Sequence, residues 1–200
     1  MNRLKFASQL IKNTNNITSL LDAGCRNCDL KIWLPSEIQY YGSDLYQNKN
    51  NTVNYVGDIT HLNVNQSFDL VVALDILEHV EQPSELFDKL FSIATIGLII
   101  SLPNCYDLKG RLKFLLSGHL GGKYIFSSEI IEDRHRWLMS RHEIKQFYED
   151  KAKIHNVSNY LIADMKYGDP DGSFPSKMRS ITRLLPSNLC TETVFCVFIK

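Results

Sequence analysis

The sequence has no surplus of charge: 22 Lys and Arg stand against 22 Asp and Glu in 200 residues. A neutral chain gives no global reason to expect nucleic acid as a partner. No apolar run approaches the roughly 18 residues of a membrane span. The opening Met1-Asn2-Arg3-Leu4-Lys5-Phe6 lacks the long apolar stretch of a secretory signal. An even set of cysteines is missing too. The five present, Cys25, Cys28, Cys105, Cys190 and Cys196, are scattered, so reduced thiols and a cytoplasmic location are expected rather than a disulfide framework. There is no internal repeat and no low-complexity tract. What is there is an ordinary globular composition, 44% apolar and 22% charged, in a length that suits one domain over residues 1–200.

Apolar residues Leu4, Ala7, Leu10 and Ile11 recur at helical spacing, and Ile17 to Leu21 then reads as a short buried strand entering a turn at Asp22-Ala23-Gly24. Further strands are expected at Ile38 to Tyr41, at Val53 to Val56, from Phe68 to Asp75 and from Ile96 to Leu102. The fourth has the continuous apolar centre of a strand covered on both faces. Pro83 opens an amphipathic helix carrying Leu86, Phe87, Leu90 and Phe91, and Ser140-Arg141-His142-Glu143 reads as a capping box opening another. Between Asp22 and Ile38 there is room only for a short helix, and between Asp44 and Val53 for none. Val157 to Met165 and Thr193 to Ile199 form a possible closing pair of strands, separated by a turn at Gly168 to Gly172 and a cationic amphipathic segment around Lys177 to Leu185. Strands alternating with helices or tight crossovers predict an α/β fold with a mostly parallel sheet flanked by helices.

Chemistry-bearing residues collect at the carboxyl ends of the first four strands, the edge at which open α/β sheets bind ligands. Asp22 to Cys28 follows the first strand. Asp44, twenty-two residues beyond Asp22, follows the second at a spacing suited to a carboxylate holding ribose hydroxyls. Gly57-Asp58-Ile59 follows the third, and Asp75-Ile76-Leu77-Glu78-His79-Val80 the fourth.

In these motifs the sequence resembles the class I, Rossmann-like methyltransferases that use S-adenosylmethionine (SAM). Leu21-Asp22-Ala23-Gly24-Cys25 looks like their first motif, Asp44 like their ribose-binding acid and Gly57-Asp58-Ile59 like their adenine-side motif. Phe68-Asp69-Leu70-Val71 with Leu77-Glu78-His79-Val80, and Ile100 to Asn104, resemble the branch that methylates small molecules. The resemblance spans about residues 15–105, the cofactor half. It implies a Rossmann-like fold, SAM as cofactor, and a cofactor site at Asp22, Gly24, Arg26, Asp44, Asp58, Ile59 and Asp75, with Glu78 and His79 placed as catalytic base candidates near the methyl-donating end. One departure is plain: the family turn runs Asp-x-Gly-x-Gly-x-Gly, and Arg26 and Cys28 replace its last two glycines. Arg26 then either points away or offers its guanidinium to the methionine carboxylate.

Other readings of the same residues stay open. Each Asp alone serves equally as a turn or cap residue, and His79 as a cap of its loop. Cys25 and Cys28 form a CxxC at a strand-to-helix turn, also the place of a redox motif. No metal is expected: a second CxxC is missing, and the adjacent Glu78 and His79 do not by themselves make a site. Residues 105–140 leave the α/β alternation and concentrate basic and aromatic groups. They are expected to form a substrate-capping insertion after the fifth strand, with Arg134 and Arg136 as acceptor-binding residues. Within it, Leu108 to Leu120 reads as a helix or lid with its apolar side on the core, or as an interfacial contact. The expected activity is methyl transfer to a small-molecule or sugar-like acceptor; the alternative is a methyltransferase-fold binding or regulatory module without turnover.

Overall fold

The computed structural model describes residues 3–62, 64–129, 131, 133–167 and 185–200. Its strands are β1 (Ser19–Ala23), β2 (Gln39–Asp44), β3 (Tyr55–Val56), β4 (Phe68–Leu74), β5 (Ala94–Pro103), β6 (Asn159–Lys166) and β7 (Thr191–Ile199). They make one seven-stranded sheet in the order β3-β2-β1-β4-β5-β7-β6. The first five run parallel, and β7 lies antiparallel between β5 and β6. Helices α1 (Arg3–Lys12), α2 (Pro83–Ile93), α3 (Leu108–Ser117) and α4 (Arg141–Ile154) and the single turn α5 (Ser187–Cys190) complete it.

Strand β4 shows why the sheet is covered on both sides. Alternate side chains of a strand point to opposite faces. Leu70, Val72 and Leu74 therefore pack with Ala7 and Ile11 of α1. Val71 and Ala73 pack with Leu86, Phe87 and Leu90 of α2 and with Ile144 and Tyr148 of α4. A strand buried on both faces has no place for a polar alternate, which is the origin of its unbroken apolar run. In β5, Gly97 lets β7 approach: a Cβ there would lie 2.4 Å from the carbonyl oxygen of Phe198.

Local signals fix the helix starts. Pro83 occupies the first turn of α2, and Ser140 and Glu143 exchange both bonds of a capping box at α4. The buried Lys151 of α4 donates to Asp88 of α2 at 2.6 Å and to the carbonyl of Ser84 at 3.0 Å. His155 meets the same carboxylate at 2.6 Å. A buried ammonium persists only when paired in this way.

The crossovers are as tight as their lengths imply: a 3-10 turn (Asp29–Trp33) separates β1 from β2, and no helix lies between β2 and β3. The third strand keeps only two residues. Residues 108–117 do form a helix, closed by the Asp107 cap and a left-handed Gly118. Its expected apolar seat on the core is corrected: none of its residues is buried, and Leu115 and Leu116 are 78% and 84% exposed. Leu108, Leu112, Leu115 and Leu116 share one face at helical spacing, and among the described residues that face has no core to pack on. The expected turn at 168–172 lies outside the described residues, as does the cationic segment up to residue 184. Among the described residues no helix is long and apolar enough to cross a membrane.

Candidate functional site

The strand order reverses between β1 and β4, and a cleft of about 1170 Å³ lies at the carboxyl ends of the strands. Gly24, Arg26, Asp44, Asp58, Ile59 and Asp75 all line it. Asp22 does not. It lies buried behind the first turn, where its carboxylate accepts from the Tyr40 hydroxyl at 2.7 Å. Burial pushes the Asp22 carboxyl up to about 7, against the lowering effect of Tyr40 and Arg3.

The turn after β1 keeps a glycine-like backbone without the glycines. Gly24, Arg26 and Cys28 all take left-handed conformations, with φ of 78°, 49° and 60°. For a side chain other than glycine that conformation costs roughly 1–2 kcal/mol. Local bonds hold it. The Arg26 N–H donates to Asp44 at 2.7 Å, the Cys28 N–H to the Cys25 carbonyl at 2.8 Å, and Asn48 Nδ2 to the Arg26 carbonyl at 3.1 Å. A side chain at Gly24 would be strained by its positive φ and would press on Ile76 Cδ1, 3.1 Å from a Cβ there. The Arg26 guanidinium points across the cleft mouth to Asp133, at 3.0 and 3.1 Å.

The other strand ends are similarly tied. Asp58 accepts from the Thr60 N–H at 2.9 Å and hydroxyl at 2.7 Å. Its partial burial works upward, but these bonds outweigh it and hold the carboxyl below the usual range. Asp75 is left-handed at φ 52°, takes the Ser101 hydroxyl at 2.6 Å and pairs with Arg3.

Cys25 and Cys28 are buried, their sulfurs 3.6 Å apart. Burial, followed by the charge of Asp22, pushes the Cys25 thiol far above its usual range. A thiol so hard to ionise is a poor nucleophile, and the redox reading gains nothing from it.

The loop after β4 carries the densest chemistry. Glu78 lies in the 3-10 turn Leu77–His79, is completely buried, and neither carboxyl oxygen has a hydrogen-bond partner. Burial, reinforced by Asp75, pushes its carboxyl well above the ordinary value. His79 Nε2 stands 3.8 Å and His135 Nε2 3.9 Å from Glu78 Oε1, and the two rings meet edge to face at 4.6 Å. Burial lowers both imidazoles, His135 to about 4 with help from neighbouring His79.

His135 is the residue that the sequence did not assign. Residues 133–137 are stitched to this loop by backbone bonds. The Arg136 N–H donates to the Glu78 carbonyl at 2.8 Å, Trp137 Nε1 to the Val80 carbonyl at 2.9 Å, and the Arg134 carbonyl meets His79 Nδ1 at 3.0 Å. No spacing rule links positions 57 residues apart; only the density of charged and aromatic groups in Asp133 to Trp137 marked the stretch. Arg136 lines the cleft, but its guanidinium is engaged with Glu81 and with the His79 carbonyl, both at 3.0 Å. Arg134 is exposed and is not part of the cleft lining. From the segment after β5, Lys123, Asp133, His135 and Arg136 reach the cleft, and α3 does not.

Comparison with known proteins agrees with this fold. No curated protein matches the sequence. Among solved structures, the methyltransferase domain of bacterial CtHen1-CN is similar at 16% identity and a TM-score of 0.62, over 99% of this chain and 97% of that one. A SAM-dependent methyltransferase from Archaeoglobus fulgidus aligns at 13% identity and a TM-score of 0.64, over 98% and 94%. The plantazolicin methyltransferase BpumL, solved with a monoazolic desmethylPZN analog and SAH, aligns at 17% identity and 0.59, over 98% and 81%. The fold is therefore the class I, Rossmann-like methyltransferase fold. The family described as methionine biosynthesis protein MetW matches residues 4–131, nearly two thirds of the sequence, and the chain belongs to that family.

Proposed function

We propose that this chain transfers the methyl group of S-adenosylmethionine to a small-molecule or sugar-like acceptor. The observation that carries the reading is the convergence of Gly24, Asp44, Asp58 and Asp75, from four strand ends, on one cleft. These residues suit the cofactor. Gly24 leaves the backbone open to close approach, Asp44 offers a carboxylate to paired ribose hydroxyls, and Asp58 with Ile59 offers an acceptor and an apolar contact to a purine. The Arg26 guanidinium is committed to Asp133, so this reading does not assign it to the methionine carboxylate. When bound, SAM supplies an already activated methyl group, so the protein's task is to align the acceptor and exclude water.

The acceptor half lies over Glu78, His79 and residues 118–129 and 133–137, which act as the cap in this reading. His79 is suited to taking the acceptor's proton: burial keeps its imidazole neutral, and the Arg134 carbonyl fixes its Nδ1–H. Arg136 acts as a wall of the pocket, with its own charge answered by Glu81. A small acceptor is favoured because the cleft is bounded on this side by that stitched segment. The rival, a module without turnover, drew on the replaced glycines; their left-handed backbone supports the active reading instead.

Calorimetric titration with SAM and with its demethylated product SAH tests the proposal. Both should bind, and Asp44→Ala should weaken binding by about 1–3 kcal/mol, losing ribose contacts and the anchor of the Arg26 N–H together. An unaltered affinity in that variant removes the assignment.

A further inference from the structure

Glu78, His79 and His135 bring one carboxylate and two imidazoles together at the cleft. Glu78 is completely buried and both its oxygens lack a partner. A carboxyl group left so exposes a desolvation penalty that native proteins normally answer with a donor or an ion. The bond from His79 to the Arg134 carbonyl requires the proton on Nδ1, which turns the lone pair of Nε2 toward Glu78. His135 presents its Nε2 to the same oxygen from the opposite segment. At 3.8 and 3.9 Å these contacts are too long for hydrogen bonds. All three ligand atoms lie within 4.8 Å of one another. Donors about 2.0–2.2 Å from a common ion stand roughly 3–3.5 Å apart, so side-chain shifts of a few tenths of an ångström bring the set to coordinating distance.

We propose that Glu78, His79 and His135 form a binding site for a divalent transition-metal ion at the floor of the cleft. Two imidazoles and one carboxylate are a borderline donor set, suited to manganese, iron, cobalt or zinc rather than to calcium or magnesium, which favour all-oxygen surroundings. The orientation of His79 by a backbone carbonyl is the outer support that metal-bound histidines usually have. Asp133 stands 3.5 Å from His79 Nε2, but its carboxylate is also held by Lys123 and Arg26, which leaves Glu78 as the anionic ligand. Three protein donors leave coordination positions facing the cleft. There an acceptor hydroxyl would have its pKa lowered by the ion and would release its proton to solvent water in the cleft, so that in the metal-loaded protein His79 would be a ligand and not the base. In that catalytic meaning the inference rests on the proposed methyl transfer; metal binding itself does not.

The test is titration of chelator-treated protein with Co2+, read by calorimetry and by the visible absorption of the bound ion, with Mg2+ in parallel. One equivalent of Co2+ should bind, far more tightly than Mg2+. His135→Ala and Glu78→Gln should each weaken Co2+ binding roughly 100-fold or more, with circular dichroism of the fold retained. Should His135→Ala fail to fold, the nearly isosteric Glu78→Gln decides. The site is overturned by absent stoichiometric uptake, by uptake that Glu78→Gln leaves intact, or by a preference for Mg2+. SAH titration of the same samples separates this result from the cofactor reading, since SAH binding without Co2+ uptake removes only the metal.

Discussion

Asp22 shows how a single side chain couples stability to pH. It is buried, bonded to Tyr40, and its carboxyl is raised to about 7, against about 3.9 for an unfolded chain. Between those values the folded protein keeps a proton that the unfolded chain releases. The resulting stabilisation is fully present below about pH 4 and is lost as pH rises through about 7. Asp22→Asn keeps an acceptor for Tyr40 and removes the titration. The stability of the wild type relative to this variant, from urea midpoints, should therefore fall by roughly 1–3 kcal/mol between about pH 5 and about pH 8. The lowered histidines work in the opposite direction, losing stability toward acid, but they are common to both proteins and cancel in the difference. A difference that does not move with pH would show that Asp22 is ionised throughout.

Among the elements, the turn after β1 carries the most information about function. Its shape is held by Asp44, Asn48 and its own backbone, so the side chain of Arg26 is a passenger with an exposed partner. Exposed pairs of this kind contribute about 0–1 kcal/mol. Arg26→Gly is expected to leave SAH affinity within about threefold, because glycine takes the same φ without strain. Arg26→Val should weaken it by about 1–2 kcal/mol, since a β-branched residue resists left-handed backbone. Equal losses in both would mean that the guanidinium itself contacts the ligand. Elements with a local cause were legible in the sequence: β4 from its unbroken apolar run, α2 from Pro83, α4 from Ser140 and Glu143. Asp44, Asp58 and Asp75 were legible because each stands at a strand's carboxyl end or in the turn after it, whereas Asp22 lies within β1 and away from the cleft. His135 was not legible, because only the folded contact between residues 133–137 and the loop after β4 brings it to Glu78. The seat of α3 was misread for a related reason: an apolar stripe such as Leu108, Leu112, Leu115 and Leu116 does not itself say which surface of the fold lies opposite it.

At the scale of the whole molecule, the sheet depends on its last strand. β7 pairs along seven positions with β5 and eight with β6, and it buries Cys196 and Phe198 completely on one face of the sheet and Phe195 on the other. A fragment ending at Pro186 should keep some secondary structure yet lose near-ultraviolet dichroism, bind hydrophobic dye and unfold without cooperativity. Cooperative unfolding of that fragment would show that β1 to β5 form an independent unit.

The same placement has a consequence for biosynthesis. A ribosome delivers β5 and β6 well before β7, yet neither has its neighbour until β7 slides between them. The apolar edge of β5 therefore stays open for the time needed to translate about a hundred further residues, some 5–20 seconds at ordinary elongation rates. During that interval the nascent chain has an exposed parallel-sheet edge of the kind that pairs with other chains. Shielding of that edge before the final strand arrives is therefore expected to raise the yield of folded protein.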